Sequence, residues 1–212
     1  MKDSLIIQNA TTQLVKIPLK RPFVTHLHTV TAINAVKLTV TLANGMVGVG
    51  AATPNRVVTG DNLTSMKAIL DEVIIPQMIG ASLTHFEPLE NKLQDCVVGN
   101  PGAKAAFDIA VYDLLCQIYH VPLNHLLGGS KQSMATDYTI SIGDRDQMVA
   151  EAQDLVKQGF TALKIKIGNA PIEEDVATVT AIAKAVGPTI SLRLDVNQAW
   201  SYKQARRGLA LL

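Results

Sequence analysis

Leu163-Lys164-Ile165-Lys166-Ile167 and Leu192-Arg193-Leu194-Asp195-Val196-Asn197 are the two stretches on which the fold of this chain turns. Successive side chains of a strand point to opposite faces, so Leu163, Ile165 and Ile167 share one face and both lysine ammonium groups share the other. The second stretch repeats the arrangement, with Leu192, Leu194 and Val196 opposite Arg193, Asp195 and Asn197. Thr139-Ile140-Ser141-Ile142 alternates hydroxyls with isoleucines in the same way. Helical spacing fills the gaps: residues 147–157 form a helix closed by Gly159, residues 172–186 a second one ending at Gly187-Pro188, and residues 202–212 begin a third. Strands over 135–142, 161–167 and 189–197, separated by helices of this length, predict parallel βαβ construction with right-handed crossovers. A barrel and a doubly wound sheet both start this way.

A parallel strand covered by helices has no solvated face. The polar face of these strands therefore points inward, near the carboxyl ends where α/β folds place their active sites. Burying two ammonium groups costs several kcal/mol each unless anions are supplied, so the lysine pair predicts a bound carboxylate, an acid of a metal site, or both. Asp195 is the nearest such acid in the pattern. Lys164 beside Lys166 also disfavours protonation of its neighbour, which suits proton abstraction next to a carbonyl group.

The residues before Gly128-Gly129-Ser130 read differently. Residues 5–19 and 35–42 are β-branched and partly alternating, and Asn44-Gly45 joins the second run to residues 47–52 as a hairpin. Thr59-Gly60-Asp61 precedes a helix carrying Met66, Ile69, Leu70, Val73 and Ile74 up to Pro76. A longer helix follows Asn100-Pro101, its stripe running from Ala103 to Ile118 before Pro122. Strands followed by helices make this an α+β unit. Gly45-x-x-Gly48-x-Gly50 is hairpin packing rather than a phosphate loop, because no helix begins there.

Composition narrows the function classes. The chain has 212 residues, 48% of them hydrophobic, enough for an aliphatic core and against wholesale disorder. Nineteen basic against eighteen acidic residues leave a formal charge of +1, with no footprint for nucleic acid or an anionic membrane surface. Cys96 and Cys116 lack the spacing of a metal cage or a secreted disulfide framework and read as buried thiols of a reducing compartment. No export signal or membrane span is expected, and the localisation expected is cytoplasmic.

Gly159-Phe160, Leu163 to Gly168 and Leu192 to Trp200 together resemble the enolase superfamily, muconate-lactonizing subgroup, and are most similar to its dipeptide epimerases of the L-Ala-D/L-Glu epimerase type. Arg21-Pro22-Phe23, Val58-Thr59-Gly60-Asp61, Ala103-Lys104-Ala105-Ala106, Leu126-Leu127-Gly128-Gly129 and Thr136-Asp137-Tyr138-Thr139 extend the resemblance, in the same order, over nearly the whole chain. The resemblance implies an α+β capping domain over residues 1–128, followed over residues 129–212 by the first three strand–helix units of a modified (β/α)8 TIM-type barrel. It also implies that Lys166 is the acid/base at the substrate α-carbon, that Lys164 stabilises the substrate carboxylate and its enediolate, and that Asp195 is the first ligand of Mg²⁺. Thr139 and His28 would contact the dipeptide, and Asn197 would support the metal site. Muconate cycloisomerases and N-acylamino acid racemases use the same lysine pair and are the alternative within the enzyme class; a noncatalytic interaction module is the alternative outside it.

Two departures qualify the expectation. His28 stands where L-Ala-D/L-Glu epimerases carry an arginine for the glutamate side chain, and a histidine lacks the bidentate fork, so an acidic dipeptide is the less secure part of the reading. Ala51 stands where the family has an acidic residue after the Gly-x-Gly turn. A full barrel of this type needs eight strands and typically about 250 residues. Residues 129–212 accommodate three strand–helix units, with one carboxylate for the metal and one lysine at the α-carbon. The sequence therefore predicts weak epimerase activity for these residues alone, and an unpaired strand edge that favours homo-oligomerisation or association with a further segment.

Overall fold

The computed structural model describes residues 2–130 and 133–212; Met1, Lys131 and Gln132, which belong to the two expected domains, lie outside the described residues. Contacts divide the chain into two compact units, one comprising Met1–Pro18 with Ala32–Lys131, the other Leu19–Thr31 with Gln132–Leu212.

Strands β1 (Ile7–Val24), β2 (Thr29–Leu42) and β3 (Val47–Ala52) lie side by side in that order, the end of β1 from Leu19 and the start of β2 up to Thr31 being counted with the second unit. β2 and β3 pair antiparallel from Val36↔Ala52 to Thr41↔Val47. The turn between them is the expected one: Gly45 has φ +84°, and the Leu42 N–H donates to the Met46 carbonyl at 2.9 Å. Val36, Leu38, Val40 and Leu42 are fully buried, as period-two alternation requires. Against them lies helix α4 (Pro101–Tyr119), whose buried stripe is Ala103, Ala106, Phe107, Ala110, Val111 and Leu114.

Gly48 and Gly50 explain the closeness of that contact. A Cβ on Gly50 would sit 1.8 Å from the Ala106 carbonyl oxygen, and one on Gly48 would sit 2.3 Å from that of Ala110. Both are glycines because the backbone of α4 occupies the space of a side chain.

Two expectations are corrected here. The helix from residue 63 does not stop at Pro76: α1 (Leu63–Ala68), capped by the Asn62 side chain, passes through a π turn at Ile69–Ile74 into α2 (Ile75–Met78). Pro76, which has no N–H to donate, stands directly after that π turn inside the continuous helix. Strand β1 runs on to Val24, well past the expected end at residue 19. Helix α3 (Phe86–Asp95), not foreseen, buries Leu89 and Leu93, and α5 (Leu123–Leu126) is a single turn. Cys96 and Cys116 are free but only partly buried.

In the second unit, β4 (Tyr138–Ile140), β5 (Ala162–Lys166) and β6 (Ser191–Asp195) form a parallel sheet in that order. Helices α6 (Arg145–Lys157), α7 (Ile172–Val186) and α8 (Tyr202–Leu211) alternate with them, as the spacing predicts. Ile140, Leu163, Ile165 and Ile167 pack with Met148, Ala152 and Leu155 of α6 and with Val179 and Ile182 of α7. The strands are shorter than the alternating runs because ladder pairing ends before the apolar pattern does. Leu194 departs from the expected covered face and is 38% exposed. Among the described residues no helix is long and apolar enough to cross a membrane.

Candidate active site

Strand register assembles the site. Thr139, Lys164 and Arg193 are direct neighbours across the three strands, and Lys166 pairs with Asp195 in the next row on the same face. The aliphatic residues between them are held in the core, which fixes the direction of the polar set. Lys166 is only 6% exposed, so its charge must be met within the protein. Its Nζ donates to Asp195 Oδ2 at 2.6 Å and to Asn197 Oδ1 at 2.7 Å. The Phe23 ring adds a cation–π contact, its centroid 6.0 Å from Nζ. Lys164 Nζ lies 2.8 Å from the same Asp195 Oδ2.

Asp195 is correspondingly tuned. Hydrogen bonding first from Lys164 and then from Lys166, assisted by the Asn197 backbone N–H, holds its carboxyl well below the usual carboxylate range. That N–H donates to Asp195 Oδ1 at 2.9 Å, with the backbone of Asn197 and Gln198 in the left-handed region at φ +44° and +67°. The strained turn is where the chain leaves β6 to present Asp195 Oδ2 and Asn197 Oδ1 to Lys166. Neither lysine is bare, as the sequence alone suggested; both share one carboxylate oxygen.

The charge balance of this cluster is two ammonium groups against one carboxylate. Neighbouring Arg193 does not alter it, because Arg193 Nη1 donates to Asp137 Oδ2 at 2.9 Å. One positive charge is left over at the carboxyl ends of parallel strands. Such an arrangement can hold an anion, and a carboxylate matches two donors held close together.

The other expected residues are placed as follows. Thr139 lines an open groove with Arg21, Phe23, Tyr138 and Ser141. His28 closes the turn between β1 and β2, where its carbonyl accepts from the Thr25 N–H at 3.1 Å, and its Nδ1 is buried without a hydrogen-bond partner. The hydrogen bonds that hold Lys166 do not involve it. His26 Nδ1 pairs with Asn169 Oδ1 at 2.8 Å. Phe23, Asp137 and the Arg21–Tyr138–Glu151 cluster were not foreseen as part of the surroundings. Their partners stand far away in the sequence, as with Arg193 and Asp137, and no local spacing announces them.

Magnesium does not fit the donor set present. The ion prefers six oxygens in octahedral array. Among the described residues no three His, Cys, Asp or Glu side chains come together to hold a metal. Asp195 is engaged by both lysines, and the Asn197 oxygen by Lys166.

Comparison with known proteins agrees with this architecture. Residues 7–128 match the mandelate racemase / muconate lactonizing enzyme N-terminal domain, and residues 147–212 match the enolase C-terminal domain-like family. The L-Ala-D/L-Glu epimerase of Bacillus subtilis is 40% identical over 194 residues, which is 92% of this chain and 53% of that protein. The substrate-liganded structure of the Bacillus subtilis L-Ala-D/L-Glu epimerase superposes with a TM-score of 0.92 at 38% identity, covering 97% of this chain and 57% of that one. The dipeptide epimerase of Enterococcus faecalis, solved with Mg and L-Leu-L-Tyr, gives 0.91 at 36% identity and the same coverage. The chain thus spans about half the length of the relatives it matches. Its sequence and both of its compact units make it a member of the mandelate racemase / muconate lactonizing enzyme family of the enolase superfamily.

Proposed function

We propose that this chain carries the capping domain, residues 1–128, and the first part of the barrel, residues 129–212, of a dipeptide epimerase that works by proton abstraction next to a carboxylate. The observation that carries this reading is the convergence of Lys164 and Lys166 on one oxygen of Asp195, which leaves a positive charge for a substrate carboxylate. Similarity to dipeptide epimerases over nine-tenths of the chain supports a dipeptide rather than another carboxylate.

In this reading Lys164, 35% exposed at its side chain, holds the substrate carboxylate. Lys166, held by Asp195 and Asn197, exchanges a proton with the substrate α-carbon. The enediolate that forms carries negative charge on the carboxylate oxygens, where the surplus ammonium charge is fixed in advance. Thr139 positions the dipeptide from the neighbouring strand, and His28 contacts its side chain from the turn between β1 and β2. Without a guanidinium there, a neutral or apolar side chain is the better match.

Asp195 is the residue that would contribute to a magnesium site in the family fold, but the described residues alone do not complete one, and no step here is routed through the metal. The free cysteines support a cytoplasmic setting, and the exposed Leu194 on β6 supports self-association. The test is incubation of the chain with a panel of dipeptides in heavy water, with proton NMR following loss of the α-proton signal. Exchange into dipeptides with apolar side chains is expected; conversion of muconate to muconolactone, with no exchange into any dipeptide, would instead favour the cycloisomerase reading.

A further inference from the structure

Asp137 is a carboxylate that the proposed chemistry does not use, and it holds the third cation of the sheet's polar face. Arg193 stands in one row with Lys164 and Thr139. Two residues further along β6, on the same face and about 6.6 Å away, comes Asp195. An arginine side chain spans that distance, and its planar fork matches a carboxylate better than an ammonium group does. The guanidinium nevertheless goes the other way. Arg193 Nη1 donates to Asp137 Oδ2 at 2.9 Å, and Asp195 Oδ2 is left to Lys164 at 2.8 Å and Lys166 at 2.6 Å.

Strand order explains how the two charges meet. Asp137 directly precedes β4 while Arg193 belongs to β6, so their ion pair reaches over the central strand β5, across two strand spacings of about 9.5 Å in all. Carried back one residue from Tyr138↔Leu163, the register sets Asp137 opposite Ala162. Alternation puts Ala162 on the same face of β5 as Lys164 and Lys166. A lone methyl group there leaves room for the bridge, whereas the next two positions on that face are filled by the lysines. Asp137 is the better enclosed partner, its side chain 20% exposed against 66% for Arg193.

We propose that Asp137 is a positioning residue: by holding the Arg193 guanidinium across β5, it keeps Asp195 for the two lysines and so keeps Lys164 in place for the substrate carboxylate. Asp137 touches neither substrate nor reacting atoms, and only the role given to Lys164 rests on the proposed function.

The test is acetylation of the whole chain by acetic anhydride at fixed pH, with mass spectrometry following the rate at Lys164, resolved from Lys166 by fragmentation of the peptide. Asp195→Asn removes the shared carboxylate and sets the rate of an unpartnered Lys164, expected about two- to fivefold above wild type, the range that one part-exposed ion pair carries. Asp137→Asn, of nearly the same shape but uncharged, is expected to bring Lys164 to that faster rate, because Arg193 then takes Asp195. Arg193→Met removes the competitor and is expected to label Lys164 no faster than wild type. The double variant Asp137→Asn with Arg193→Met is expected to return to the wild-type rate, a rescue that a merely structural aspartate would not show. Where Asp137→Asn does not fold, Asp137→Ser takes its place. An unchanged Lys164 rate in Asp137→Asn or in Asp195→Asn would overturn the proposal; so would a rise in Arg193→Met, or a rise that persists in the double variant. None of these rates needs turnover, so a failure of dipeptide exchange and a failure of this role for Asp137 are told apart.

Discussion

Lys166 illustrates what one residue demands of its surroundings. An ammonium group 6% exposed is tolerated because Asp195 and Asn197 both accept from it, and truncating either leaves charge or polarity uncompensated. Asp195→Ala is expected to lower unfolding stability by about 1–3 kcal/mol, measured by urea melts at neutral pH. Because the folded protein holds the Asp195 carboxyl below its unfolded value, its contribution is present above the ordinary carboxylate range and is lost as pH falls below it. The difference between wild type and Asp195→Ala should therefore shrink in acid. The alternation of Lys164 with Lys166, and of Asp195 with Asn197, was legible because strand geometry is local. The contacts of Phe23 and Asp137 were not, because each bridges segments that only tertiary packing brings together.

Between elements, close approach and shared burial decide. Gly50→Ala would force a methyl group onto the Ala106 carbonyl, and separation of β3 from α4 should cost about 1–3 kcal/mol or more in thermal or chemical denaturation. Gly45→Ala, with open space around it, meets no such wall, and its cost comes instead from the backbone, held at φ +84°. Facing one another from α3 and α4, Glu90 and Asp108 make a carboxylate pair in which burial first, and then the charge of Asp108, raises Glu90 to about 7. The folded state keeps that proton to higher pH than the unfolded state does, so this group's contribution falls as pH rises from about 4.5 to about 7. Glu90→Gln should flatten that fall and, at pH 8, stabilise the chain by about 1–2 kcal/mol, read from melting curves across pH. Element boundaries were legible where period and caps agreed, as in α7 and β3. Pro18 and Pro22 concealed the far half of β1, since proline withholds a ladder donor, and Pro88 within the first turn of α3 concealed the Leu89–Leu93 spacing.

For the whole molecule, each compact unit has its own apolar core, and the parallel sheet of the second presents the lysine pair. Sequence alone revealed the α+β and parallel β/α characters, because hydrophobic periods of two and 3.6 residues suffice for fold class. It did not reveal that residues 19–31 pack with the second unit, since extended hairpin segments carry no signal of their tertiary neighbours. In the proposed reaction Lys166 is the one lysine among the described residues assigned to proton exchange at the α-carbon, and inversion needs a proton delivered to the opposite face. Deuterium incorporation into one stereoisomer, with retention of configuration, should therefore outpace epimerisation. The most direct measurement is α-deuterium incorporation from heavy water into an alanyl dipeptide, resolved by stereoisomer and compared between the wild-type chain and Lys166→Met. Exchange that depends on Lys166 and retains configuration is the expected result; exchange that persists in Lys166→Met, or epimerisation by this chain at ordinary enzyme rates of about 1–10³ s⁻¹, would contradict it.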